Sequence, residues 1–498
     1  MNKMLIKFIK PSVIFFVAGF LFFINTTTVL ASTKTWTGSA SSSWSNPTNW
    51  GGSVPSTGDD LVFPVGASNL SNTNDLPENT IINSITISGS GYTLSGNRII
   101  LGAGLASITD SASSGGNTIA LDVRLDVTRD IYVTNSAETL TFSGRISGVG
   151  GINKEGTGKL VLSGANTYAG TTKINVGVIN AQNNTALGTI LSGTEVVGNA
   201  VLELQGNINI GYEALALRGY GVSSGGALRN ISGTNSFGGL ITLSSSGGTE
   251  ISSDSGTLTV AGGTTGNFPL VLDGSGDITF STTPLAGSGS ITKNGAGTVR
   301  LNFPNTNTGT FFINAGTVLY GTDNALMTGA VTVNSGTLDI ATYSDMVGTV
   351  TLGTTDLASG TITGSTGVLS STIWTVYNGT ISAIIAGVNG ALTKSTPGTV
   401  TLTRPNLYTG TTTVSLGILK IQDSMALGLV DGATTVSGGA TLQIDGNNLS
   451  IPEYITFSGY GHLYKGAIRN STGNNTITGL ATLAAAGLIK SDLDTTLT

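Results

Sequence analysis

Apolar and polar residues alternate along this chain in runs of four to six, each closed by Gly, Asn, Ser or Thr. Thr298-Val299-Arg300-Leu301-Asn302 and Thr399-Val400-Thr401-Leu402-Thr403 alternate strictly. A period of two places one set of side chains on one face of a strand. Apolar residues at three-, four- and seven-residue spacing, the mark of an amphipathic helix, do not extend over any long stretch. The pattern predicts short, half-buried strands joined by turns, in an all-β fold. Ser, Thr and Asn fill the outward positions that charged residues hold in most soluble proteins.

The strands recur as an internal repeat. Three segments align without a gap over 35 residues, at 154–188, 293–327 and 394–428, beginning at Lys154, Lys293 and Lys394. All three keep a glycine at Gly158, Gly297 and Gly398, an asparagine at Asn166, Asn305 and Asn406, and a second glycine at Gly170, Gly309 and Gly410. They also keep Gly177, Gly316 and Gly417, and a leucine at the next-to-last position, Leu187, Leu326 and Leu427. A larger block contains the repeat. At an offset of 240 residues Glu213 matches Glu453, Gly219-Tyr220-Gly221 matches Gly459-Tyr460-Gly461, and Arg229-Asn230 matches Arg469-Asn470. The second block stops near the counterpart of Thr259, inside a repeat.

Glycine between short strands marks turns of positive φ or close backbone approach. Leu160 and Leu162 point to one face, and Ile174 and Val176 are expected to do likewise. One such strand cannot bury its apolar face alone, whereas stacked rungs can. With rungs ~4.8 Å apart and roughly 20–25 residues each, the chain after residue 31 makes about 20 rungs, a rod on the order of 90–100 Å. A string of β-sandwich domains shares the turn spacing. The repeat has no domain-like boundaries or linkers, so the expected architecture is a right-handed parallel β-helix, a β-solenoid running over residues 67–498.

The N-terminus reads differently. Lys3, Lys7 and Lys10 precede an apolar run from Val13 to Ile24, and Val29-Leu30-Ala31 offers a cleavage site. This is the layout of a signal peptide, residues 1–31, cut between Ala31 and Ser32. The run is shorter than the ~20 residues a membrane-spanning helix needs. Cleavage removes three lysines and no acid, taking the formal charge from −6 to −9. Residues 32–66 then hold three of the four tryptophans, Trp36, Trp44 and Trp50. They are expected to cap the open end of the solenoid, or else to stack on sugar rings.

Composition narrows the function. Charged residues are 10% and glycine is 73 of 498, with no cysteine and one histidine. Disulfide scaffolds and Cys/His zinc sites are excluded. The acidic balance argues against a nucleic-acid partner.

The stretch from Gly148 to Gly188, with GTGKLVLSGANTYAGTTKINVGVI and then NNTALG, resembles the autotransporter-associated β-strand repeat. PGTVTLTRPNLYTGTTTVSLGILK with SMALG matches almost as well. The middle copy departs, with Phe303-Pro304 in place of the LSG step and Asn307 in place of Tyr168 and Tyr408. The segment TWTGSASSSWSNPTNWGGSVPSTGDDLVF resembles the start of mature chains in such proteins. The resemblance implies a right-handed β-helix carried to the surface of a Gram-negative bacterium, its repeats serving passenger folding and transport. It implies the secretion machinery of the inner membrane and an outer-membrane barrel as partners, and host-cell or matrix ligands or glycans as targets. The barrel itself, a series of alternating ~10-residue strands with aromatic girdles, is expected but does not occur before Thr498.

Candidate chemistry is sparse. No catalytic, cofactor or metal residues are assigned. His462 is the sole imidazole, and its block counterpart is Val222. Asp122, Asp126 and Asp130 fall on one parity of LDVRLDVTRD with Arg124 and Thr128, opposite Leu121, Val123, Leu125 and Val127. In one strand they would form an acidic face, the basis of an alternative reading as a β-helix polysaccharide lyase or hydrolase. Asp273-Gly274-Ser275-Gly276-Asp277 and Asp59-Asp60 read as turns. Gly219 to Gly226 lacks the lysine and helix start of a phosphate loop. The sequence thus favours a non-enzymatic, structural or adhesive rod.

Overall fold

In the computed structural model, residues 32–102, 107–326, 329–354 and 357–498 are described. The expected signal segment and Ala31 lie outside them, and Ser32 is the first described residue. The chain winds as a parallel β-solenoid of about 20 turns. Among the described residues there are 54 short strands and three short 3-10 turns. No helix among them is long and apolar enough to cross a membrane.

The strands lie on three faces, with a corner loop in place of the third-face strand at 163–171 and 182–193, and every strand pairing among the described residues is parallel. The first face stacks Thr33–Thr35, Asp60–Phe63, Ser84–Ile87 and their successors. The second begins at Ser71–Asn74 and runs to Ala481–Gly487. The third carries Thr80–Ile82, Ile99–Leu101, Val123–Leu125 and Ile146–Ser147, and its later turns end at Ile489–Ser491.

Register fixes the core. On the first face Leu61, Ile85, Ile108 and Ile131 stack in one column. On the second, Leu140, Leu160, Ile179, Leu202, Leu228, Ile251 and Leu272 do the same. These side chains are buried. Each contributes about 1.5–3 kcal/mol of burial, and β-branched residues suit the pleated stack. Since a column is completed only by the turns above and below, the rod gains stability by stacking.

The first turn is filled by indoles. Trp36, Trp44 and Trp50 are buried against Phe63, with ring centroids 4.9–6.3 Å apart. Every indole N–H is bonded: Trp36 to the Asn69 carbonyl, Trp44 to Asn72 Oδ1 and Trp50 to the Trp44 carbonyl. Rings packed in this way offer no face to a sugar, so the stacking expectation for this segment is corrected. Asp59 ties the turn together, accepting from Ser32 N and Oγ and from Ser56 N and Oγ.

Candidate functional site

Each repeat opens on a lysine that stands inside the core. Lys154 continues the column Ile85-Ile108-Ile131 and is followed by Ile174 and Val196. Lys293 continues the second-face column after Leu272, and Lys394 follows Val376. Their exposures are 0%, 2% and 0%. An isolated ammonium in such a place is costly, so each one is caged by carbonyls. Lys154 Nζ donates to the carbonyls of Glu155 (2.8 Å), Gly156 (2.6 Å) and Val176 (3.2 Å). Lys293 Nζ donates to those of Asn294 and Gly295, and Lys394 Nζ to those of Thr396 and Leu416. Burial pushes Lys154 and Lys293 down to about 8.

The cage explains a repeat glycine. Gly177, Gly316 and Gly417 have φ of 75°, 62° and 74° and lie one turn above the lysine corner. A Cβ on Gly316 would meet Lys293 Nζ at 2.8 Å, and on Gly177 the Gly156 carbonyl at 2.5 Å. At this corner the carbonyl of the preceding residue turns inward to the lysine and its side chain turns outward. Val176 is therefore 41% exposed, and its counterpart Leu416 37%. Ile174 points into the core as expected; Val176 does not.

The repeat asparagines stitch three turns together. Asn166 Oδ1 accepts from Ile146 N at 2.8 Å while its Nδ2 donates to the Ala186 carbonyl at 2.7 Å. Asn305 bridges Leu285 N and the Ala325 carbonyl, and Asn406 bridges Ile385 N and the Ala426 carbonyl. The side-chain amide thus replaces a rung of the ladder where the backbone turns, satisfying a donor and an acceptor that burial would otherwise strand. Leu187, Leu326 and Leu427 are buried directly after those alanines. Gly158, Gly297 and Gly398 follow the lysine corner, and Gly170, Gly309 and Gly410 pack on the backbone of the turn below, close to Gly151, Gly289 and Gly390.

Beside the asparagine, the outer copies bury a polar stack. The Tyr168 hydroxyl meets Thr172 Oγ1 at 2.6 Å, and Thr194, paired in register with Thr172, donates to Glu213 Oε1 at 2.9 Å. Tyr408, Thr412, Thr434 and Glu453 repeat the arrangement. Burial pushes both glutamates up to about 7. In the middle copy Asn307 and Phe311 replace the tyrosine and the first threonine. A cavity of about 10 Å³ remains there, lined by Asn305, Asn307, Phe311 and Leu326. That is at the lower limit for a single water.

The acidic run does not form one face. Val123–Leu125 belongs to the third face and Arg129–Val133 to the first, because the chain turns a corner between them. Asp122 pairs with Arg145, Asp126 with Arg124, and Asp130 accepts from Asn153. Val127, on the parity opposite the acids, sits on that corner and is 43% exposed. Among the described residues no group of three His, Asp or Glu side chains could hold a metal ion. Asp273–Asp277 is a turn, with Asp273 Oδ1 accepting from Gly274 N. His462 lies in a 3-10 turn, His462–Tyr464.

Sequence reasoning placed the repeat glycines and asparagines but gave the lysines no role. Their signal was present: a charge kept as the first residue of all three copies, in a chain with few charges.

Stacked parallel turns with recurring polar corners define a repeat-built β-solenoid. The passenger-associated-transport-repeat family matches residues 152–181, 291–319 and 392–421, and each match includes the buried lysine. The chain is 34% identical over 183 residues to the adhesin BmaC autotransporter of Brucella suis biovar 1 (strain 1330). That alignment covers 36% of this chain and 5% of the relative. No solved structure matches. The protein is an autotransporter passenger-like β-solenoid.

Proposed function

We propose that the protein is a non-enzymatic rod displayed outside a Gram-negative cell, where it serves a structural or adhesive role. The carrying observation is the repeat itself: three family-matched copies whose conserved side chains all go into holding turns together, none into a reactive cluster. Residues 1–31 direct the chain to export and are then removed. The tryptophan-filled turn within 32–66 closes one end of the rod, and an outer-membrane barrel is the translocation partner. The lysine and asparagine corners favour orderly stacking of one turn on the next, which suits a chain that folds as it emerges. Ligands would be host-cell or matrix surface molecules.

Protease shaving of intact cells expressing the gene, with an epitope at an exposed turn, tests display. Loss of the epitope from intact cells is expected, and protection until the cells are lysed would refute it. Adhesion conferred on a non-adherent host strain separates an adhesive rod from a purely structural one.

A further inference from the structure

The block duplication supplies an internal comparison. Residues 219–226 read GYGVSSGG, and residues 459–466 read GYGHLYKG. The two loops share one backbone. Gly221 and Gly461 have φ/ψ of 76°/−178° and 80°/172°. Ser223 and Leu463 both lie in the left-handed region, at 55°/28° and 53°/35°, and Ser224 and Tyr464 follow at φ 55° and 60°. In each, the closing glycine donates to the tyrosine carbonyl, Gly226 to Tyr220 at 2.9 Å and Gly466 to Tyr460 at 2.8 Å.

The side chains differ. A Gly/Ser sequence makes this turn, so the fold does not need leucine and tyrosine there. Both are held at a positive φ that bulky residues rarely adopt. Leu463 is 71% exposed and Tyr464 82%. In the sister loop the Tyr220 hydroxyl is tied to the Gly247 carbonyl at 2.7 Å. Tyr460 instead sits 6.4 Å from Tyr464, ring to ring, at a tilt of 35°. The base of the loop is fixed: His462 N donates to Thr441 Oγ1 at 2.9 Å, and that hydroxyl donates to the Gly466 carbonyl at 2.7 Å. Strained, exposed and rigidly mounted side chains of this kind mark a contact surface.

We propose that the loop Tyr460–Lys465 is a binding site for an acidic glycan, an oligosaccharide bearing a carboxylate or sulfate. Two exposed phenol rings supply stacking faces with polar edges at low conformational cost. Lys465 and Lys490 supply positive charge beside them; the acid they face, Asp492, is itself hydrogen-bonded and ion-paired to Arg469. Cations clustered here, on an acidic chain, select an anionic ligand. The few side chains offered are too small for a stable protein partner, which needs roughly 800 Å² on each side. The proposal rests on the rod being displayed outside the cell.

The purified full chain would be applied to printed sialylated, uronate-bearing and sulfated oligosaccharides beside their neutral parents. Binding to acidic members is expected, weakening with salt. Replacing His462→Val, Leu463→Ser, Tyr464→Ser and Lys465→Gly together installs the sister loop and should lower affinity at least tenfold with melting unchanged. Tyr464→Ser alone serves if that variant does not fold. No acidic glycan bound by the folded chain, binding untouched by the replacement, or capture of a protein partner only would each overturn the proposal. Surface shaving is read separately: a chain that is displayed yet binds nothing defeats the loop, whereas one that binds when purified but is never displayed defeats the rod.

Discussion

Lys394 stands in the same register column as Lys293, with Ile313, Val333, Leu352 and Val376 stacked between them. Two ammonium groups thus interrupt one aliphatic stack, each closing the corner of its own repeat. Lys154 does the same on a different face.

The cages set the value of each lysine. Lys154→Met keeps the stem's bulk but leaves the Glu155, Gly156 and Val176 carbonyls without their donor. The expected loss is about 2–3 kcal/mol, from stranded buried acceptors partly offset by removing a buried charge. Urea unfolding of the variant measures it. An unchanged midpoint would mean that the carbonyls find water instead.

Buried carboxyls give the rod an acid-side gain. Burial pushes Glu213, Glu250 and Glu453 up to about 7, against an ordinary value of 4.5. Between those values the folded chain binds more protons than the unfolded chain. Their stabilisation is therefore complete below 4.5 and is lost as pH rises through 7. Melting should occur at a higher temperature at pH 5.5 than at pH 8. Glu213→Gln should flatten that slope and raise stability at pH 8 by on the order of 1–3 kcal/mol. A profile level from 5.5 to 8 would contradict it.

The middle repeat has exchanged two residues together. Asn307→Tyr alone crowds the ring against Phe311 and is expected to cost about 1–3 kcal/mol. With Phe311→Thr it should recover, rebuilding the Tyr168–Thr172 pair. A double-mutant cycle would show coupling above ~1 kcal/mol for residues that share one cavity. Strictly additive effects would argue against a shared site.

Signal cleavage would leave Ser32 with a charged amine at Asp59. Ser32 N lies 3.2 Å from Asp59 Oδ1 and Ser32 Oγ lies 2.6 Å from it. Burial alone would raise the Asp59 carboxyl, yet the Ser32 and Ser56 hydrogen bonds hold it below its ordinary value. Its stabilisation is present above the unfolded value and disappears as pH falls through the folded one. Asp59→Asn in a chain beginning at Ser32 should lower stability by about 1 kcal/mol at pH 7, and by less at pH 3. N-terminal sequencing checks the cut, and melting checks the bond.

Legibility followed locality. Leu160, Leu162 and Ile174 were readable as inward residues because period-two alternation holds within one strand. Val176 was misread because it sits on a corner, where the alternation breaks and its carbonyl turns inward to Lys154 in place of its side chain. The acidic parity of Asp122–Asp130 failed for the same reason: it spans two faces. The asparagines showed themselves as repeats, but their bridging of turns about 20 residues away in either direction has no local signature.

The sequence by itself determined the strands, the turns, the 35-residue repeat and the 240-residue block, since alternation and glycine placement are properties of neighbouring residues. Only the tertiary structure decided which face each copy enters. Between Lys154 and Lys293 the winding advances by whole turns plus one extra face, so equivalent lysines land in different columns. It also decided that the lysines go inward, where carbonyls of their own corner and, for Lys154 and Lys394, one from the turn above accept their protons, and that one copy of a duplicated loop presents a strained leucine and tyrosine to solvent.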